Sequence, residues 1–131
     1  MAICLMKANM PTFLILFSLL GADQIDPAEV AFFEKKIRPV LVEHCYRCHS
    51  VQAKMPKAGL HLDSRAGIRR GGESGPAIVP GKIDESLLIQ ALRHEELEMP
   101  PDRKLPERVI ADFVAWVRNG APDPRDHPPI L

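Results

Sequence analysis

The stretch His44-Cys45-Tyr46-Arg47-Cys48-His49 restricts the folds open to this chain more than any other segment. Side chains three and four apart on a helical turn share a face, so Cys45, Cys48 and His49 can meet one flat ligand. Cys-x-x-Cys-His is the pattern that attaches a c-type haem, both sulfurs bonded to the ring and the histidine beneath the iron. Each competing reading lacks a part. A structural zinc site needs further ligands, normally a second pair; no cysteine follows Cys48, and His61, His94 and His127 are scattered. A redox dithiol of thioredoxin type expects a βαβ setting, which the flanking pattern does not offer. A plain disulfide, or two buried thiols, gives no reason for a histidine directly after the second cysteine.

The rest of the composition suits a small body built around such a group. With 131 residues the chain makes one small domain, and with aromatics at only 5% its own core is thin. A large apolar cofactor adds buried surface. The 13 prolines and 8 glycines predict short helices and many loops, an all-α class with three to five helices. Net charge is zero, which removes the electrostatic case for nucleic acid or an anionic membrane surface.

Residues 1–22 carry one charge, Lys7, then an apolar run from Thr12 to Leu20 and the small pair Gly21-Ala22. That order reads as a secretory signal. From Met10 to Ala22 there are 13 residues, short for a membrane span. Leu20 suits a cleavage site poorly, so an uncleaved anchor is the second reading, and only that one brings membrane contact. A cut after Ala22 removes Lys7 and leaves 16 basic and 17 acidic residues. It also removes Cys4, so the motif holds both remaining cysteines. Export to the periplasm or cell envelope agrees with the motif, because bacteria attach c-type haem outside the cytoplasm.

Along the mature chain, Asp26-Pro27-Ala28-Glu29 is a helix start, with Asp26 as N-cap and Pro27 in the first turn. Val30, Phe33, Ile37, Leu41 and His44 follow at helical spacing. Pro39 breaks the pattern and predicts a kink or restart at Arg38, the restarted helix running on to carry the motif to His49. Phe32 and Phe33 are core candidates. Gly59 to Asp63 alternates like a short strand, and a short helix is expected near Ser64–Arg70, ended by Gly71. The stiff apolar loop Gly75–Gly81 can line a haem face, with a carbonyl at Pro76 or a neighbour taking the free ring N–H of His49. Arg65, Arg69 and Arg70 are candidates for the haem propionates, with plain solvation the alternative.

Asp84 is the expected cap of a helix to about His94, burying Leu87, Leu88, Ala91 and Leu92. Outside the leader the methionines are Met55 and Met99. Met55 is tethered too closely to His49 to reach the opposite face of a haem. Met99, followed by two prolines that hold the backbone extended, can present its thioether as the sixth ligand. His61 and His94 are the bis-histidine alternatives. A last helix from Leu105-Pro106-Glu107 to Asn119-Gly120 shows Ile110, Phe113, Val114 and Val117 on one face with Trp116 at its edge. The haem domain is expected over residues 26–122 and a disordered tail over 123–131, within a proline-rich end that begins at Ala121.

Taken together, these segments resemble the class I cytochrome c fold, and within it the planctomycete-type cytochrome c domain. The resemblance rests on Cys45-Tyr-Arg-Cys-His49, Gly59-Leu-His-Leu-Asp-Ser-Arg65, Gly71-Gly-Glu-Ser-Gly-Pro-Ala-Ile-Val-Pro-Gly81, Glu85-Ser-Leu-Leu-Ile-Gln-Ala-Leu92, Glu98-Met-Pro-Pro101 and Trp116-Val-Arg-Asn-Gly-Ala-Pro122. It implies one covalent haem c on Cys45 and Cys48, with His49 proximal and Met99 distal. Such domains usually head longer secreted proteins, whereas few residues follow Pro122 here; a free cytochrome, a truncated product and a split subunit are all compatible with that. The expected function is one-electron transfer to a redox partner protein, without enzymatic turnover. The alternatives are a haem enzyme or small-ligand sensor, and a haem-free dithiol or metal-binding module. Mixed charges around Met99, Glu95, Glu96 and Glu98 beside Arg103 and Lys104, give no single-sign docking patch.

Overall fold

The computed structural model describes residues 24–126. The leader at 1–22, His127 and the end of the expected tail lie outside that range.

The chain folds as short helices joined by long loops: α1 (Pro27–Phe32), α2 (Arg38–His44), α3 (Arg65–Arg70), α4 (Leu87–Arg93) and α5 (Glu107–Arg118). It is all-α; among the described residues extended pairing is limited to one isolated bridge, Gly72 to Gly75. The alternating run Gly59–Asp63 is therefore not a strand. Its ends are tied elsewhere, Leu62 N–H to the His49 carbonyl at 2.8 Å and Leu60 N–H to the Lys57 carbonyl at 3.1 Å.

Asp26 caps α1 as expected, its carboxylate accepting Ala28 N–H at 2.7 Å. The irregularity expected near Pro39 takes the form of a π turn over Phe33–Ile37, after which α2 starts at Arg38. Pro39 has no N–H to give and its ring crowds the carbonyl one turn back. Widening the preceding turn, with Arg38 N–H bonded to the Phe33 carbonyl, takes up that misfit without breaking the rod.

The widened turn turns Phe33 and Ile37 fully inward. Phe33 meets Trp116 of α5 with ring centroids 5.7 Å apart, and Phe113 meets the same indole edge-on at 6.1 Å. Trp116 is 1% exposed, at the centre of the core rather than at a helix edge. Its indole N–H donates to the Pro122 carbonyl at 2.8 Å, so the one polar atom of the ring is satisfied. Ile37, Leu41, Ile110 and Val117 complete this side of the core, and Leu62, Ile68, Ile78, Leu88 and Leu92 the other.

Two boundaries differ from expectation. The fourth helix begins at Leu87, not at Asp84, because Ser86 is the residue turned back: its hydroxyl accepts Val79 N–H at 3.0 Å and donates to the Lys82 carbonyl at 2.7 Å. Asp84 contributes only its carbonyl, to Gln90 Nε2. The second correction concerns the end of the domain. Disorder from Ala121 does not hold as far as Asp126: Ala121, Asp123 and Arg125 are buried. Arg125 O accepts Arg65 N–H at 3.0 Å, and the Arg65 guanidinium bonds the Asp123 carbonyl and the Asp126 carboxylate. A proline-rich segment with buried side chains and paired backbone is stiff structure, not a tail.

Gly71 ends α3 with φ 74°, and a Cβ there would lie 1.8 Å from the Gly75 carbonyl oxygen. No side chain fits that approach.

Replacing Trp116 by Ala should cost about 3–5 kcal/mol of folding free energy and Asp26 by Ala about 1 kcal/mol, read from urea unfolding of the purified chain. Equal losses would remove Trp116 from the centre of the core.

Candidate functional site

Two walls of the fold enclose a largely apolar cavity, open on one side. One wall is the end of α2 and the turn after it, carrying His44, Cys45 and His49, together with Ala58, Leu60 and Leu62. The other is α4 with Leu87, Leu88, Ala91 and Leu92, followed by Leu97, Met99 and Pro100. Gly72–Gly75 closes one end. The lining is almost wholly apolar, and its nitrogen and sulfur donors come from the motif, His44 and Met99.

The motif stands on a turn, not within a helix. The α2 helix stops at His44 because Cys45 leaves helical geometry at φ −120°, and Tyr46 N–H reaches past it to the Leu41 carbonyl at 3.0 Å. A further turn follows, with His49 N–H bonded to the Cys45 carbonyl at 2.9 Å. Cys45 and His49 thus share a face as their spacing predicts. Cys48 lies on the same turn, half-buried, with its sulfur outside the cavity lining; neither cysteine is in a disulfide.

His49 is 8% exposed, and its Nδ1 lies 3.2 Å from the Lys57 carbonyl oxygen. A carbonyl can only accept, so Nδ1 carries the proton and Nε2 is left with a free lone pair, the tautomer a metal ligand needs. Burial pulls the His49 pKa below the ordinary imidazole value, the Lys57 carbonyl opposing it, which keeps the ring neutral. The carbonyl expected here was that of Pro76 or a neighbour. The structure uses Lys57, since the tight turn at Lys57–Gly59 brings that carbonyl back under the ring, while Pro76 is exposed and does not line the cavity. A proline-lysine-alanine-glycine turn close after the motif is the signal that marks it in the sequence.

Cys45 is pushed up to about 12, first by burial and then by the neighbouring Cys48. It is therefore a neutral thiol at ordinary pH. Redox dithiols and zinc sites work through thiolates and lower this value instead. Among the described residues no group of three or more His, Cys, Asp and Glu side chains is placed to hold a metal ion.

Opposite the motif, Met99 N–H donates to the Ala91 carbonyl at 3.1 Å, which ties the loop to α4. Pro100 is buried behind it, while Met99 itself lines the cavity and is 37% exposed, so it stands at the rim. Met55, at 85% exposed, points away. The bis-histidine candidates are not in the lining either: His61 faces the buried Asp63, with Nδ1 4.0 Å from its carboxylate, and His94 ends α4 in left-handed geometry. The arginine assignments also change. Arg65 is engaged by Asp123 and Asp126, and Arg69 and Arg70 are exposed on α3 away from the cavity.

These residues fit a haem by the chemistry of their donors: a neutral imidazole with Nε2 free, a thioether across from it, cysteines beside the histidine, and a lining that is otherwise largely apolar apart from His44, Glu73 and Ser74. The family described as planctomycete cytochrome C matches residues 45–103, which span the motif turn, α3, α4 and the Met99 loop. No curated protein and no solved structure matches the chain.

With its pKa raised in the folded state, Cys45 contributes stability that is complete below pH 9 and is lost as pH rises towards 12. Iodoacetamide applied at pH 8 to folded chain without haem should therefore label Cys48 well before Cys45; equal rates would show that Cys45 is not held as a buried thiol.

Proposed function

We propose that this chain, which carries a planctomycete cytochrome C domain over residues 45–103, is an exported one-electron carrier with a covalently held haem c. The observation that supports it is an apolar cavity lined both by His49, with its ring nitrogen fixed by Lys57, and by Met99. Haem iron bound there supplies one-electron chemistry, passing between ferrous and ferric states.

The chain's own residues then divide the work. Cys45 and Cys48 would hold the group, their thiols adding to its two vinyl groups, and Cys48, which does not line the cavity, would have to turn towards it to do so. His49 would offer Nε2 and Met99 its sulfur to the iron; with both protein ligands bound no position would be left for a substrate, which favours electron transfer over oxygen or peroxide chemistry. The thioether favours a higher potential than a second imidazole gives. Leu60, Leu62, Leu88 and Leu92 exclude water, which keeps the charge change in a medium of low polarity. A redox partner protein would approach from the exposed rim at Met99.

Export rests on the leader at 1–22 and on the need to attach c-type haem outside the cytoplasm. Among the described residues no helix is long and apolar enough to cross a membrane.

A second reading, a small-ligand sensor in which Met99 leaves the iron, draws on the exposure of Met99. Expression with a haem-maturation system and one spectrum decides between them. A sharp reduced band with a weak methionine–iron band when oxidised is expected. High-spin iron that binds carbon monoxide readily would favour the sensor, and absence of covalent haem would remove both. Met99→Ala should lower the potential and open the iron to carbon monoxide; an unchanged spectrum would refute the ligand assignment.

A further inference from the structure

Behind the cavity lies a buried polar cluster with no part in the site as described so far. Arg125 is 7% exposed and Asp123 1%. The Asp123 carboxylate takes two of the guanidinium N–H groups, from Nε at 2.9 Å and from Nη2 at 2.6 Å. This fork neutralises the charge and aims the remaining nitrogen. Nη1 then donates to two acceptors on different segments, the Tyr46 hydroxyl and the Leu62 carbonyl, the latter at 2.8 Å. The cation also stands over the Phe33 ring, 4.8 Å from its centroid, so core packing fixes its height.

Both acceptors lead to His49. Tyr46 lies between the cysteines of the motif, and its carbonyl accepts the Ser50 hydroxyl at 2.6 Å, bracketing His49 from both sides. Leu62 gives its own N–H to the His49 carbonyl at 2.8 Å. Leu62 is thus held at its carbonyl by Arg125 while it holds His49 through its amide.

We infer that Arg125 is a positioning residue for the site: aimed by Asp123, its guanidinium ties the Cys45–His49 turn to the Leu62 wall and sets where His49 stands in the cavity. Arg65 braces the same segment from outside, through Arg65 N–H to the Arg125 carbonyl and its side chain to the Asp123 carbonyl. The segment 121–126 is therefore part of the pocket's frame. That the turn holds a haem rests on the proposed function; that Arg125 holds the turn does not.

A planar fork satisfies Asp123, Tyr46 and Leu62 at once, and an ammonium on a flexible stem does not. The test compares the full chain, purified from a host with haem-maturation machinery, with Arg125→Gln, Arg125→Lys and the core variant Val117→Ala. Amide hydrogen exchange and midpoint potential are read on each. The Leu62 amide should exchange roughly tenfold faster or more in both Arg125 variants, the scale of one lost charge-assisted hydrogen bond, while the Val114 amide in α5 keeps its rate. The potential should move in both Arg125 variants and stay in Val117→Ala, which loosens the core without touching the turn. Unchanged Leu62 exchange in Arg125→Gln, equal acceleration at Leu62 and Val114, or an unmoved potential in the Arg125 variants would each overturn the inference. If Arg125→Gln does not fold, Tyr46→Phe removes one of the two acceptors and should accelerate Leu62 in the same direction by less; no change there overturns it too. An unmutated chain without covalent haem would sink the electron-carrier reading alone, and the exchange data would still decide the clamp.

Discussion

The contact of Trp116 with Phe33 anchors to α5 the helical rod that leads into the motif. The indole lies between Phe33 and Phe113, so α5 grips the first helical rod at its widened turn. Beyond the grip, α2 has room for Leu41 to reach the core before Cys45 leaves the helix. Core and cavity then share their walls: Leu62, Ala77, Leu88 and Leu92 belong to both. A domain this small holds its shape by letting the same side chains close the interior and line the site.

The two faces of the cavity are held by different kinds of force. On the His49 side, directional hydrogen bonds do the fixing: the Lys57 carbonyl on Nδ1, the Leu62 amide on the His49 carbonyl, and the Asp63 carboxylate on Val51 N–H at 2.8 Å. On the Met99 side the wall is mainly packing, with the Met99 loop tied to α4 through its N–H to the Ala91 carbonyl. The first is a directional scaffold, the second a yielding one. Under the proposed function His49 would be a ligand that must not move and the Met99 rim the part that meets a partner, and the two sides differ in rigidity in that sense.

The helices were legible because they are written locally. The spacing Val30, Phe33, Ile37, Leu41 shows a face, Pro27 and Pro106 show starts, and Gly71 and Gly120 show ends. The identity of the motif and of Met99 as the methionine facing the cavity was legible for a similar reason: few residues can do that chemistry. What escaped was set by distance along the chain. Whether Lys57 or Pro76 offers a carbonyl to His49 depends on how a turn closes in space. Arg65 resembled a propionate ligand because its partners, Asp123 and Asp126, lie in a segment whose prolines suggested disorder. Proline content alone does not separate a stiff strap from a loose end; the pair Asp123-x-Arg125, two opposite charges in a short proline-rich stretch, was the available hint. Ser86 displaced Asp84 as the start of α4 because its hydroxyl had a tertiary task, binding Val79 and Lys82, that no local rule contains.

The π turn at Phe33–Ile37 has a further implication for how this site is indexed. A π turn is an α-helix carrying one residue more than its ladder needs. If the turn were instead regular α-helix with all its residues kept, everything beyond would rotate by about 100°. Cys45 and His49 would then face away from α4, although each residue of the motif remained in place. The surplus residue therefore acts as a phase setting: it fixes the compass bearing of the motif, while the motif itself specifies only the chemistry.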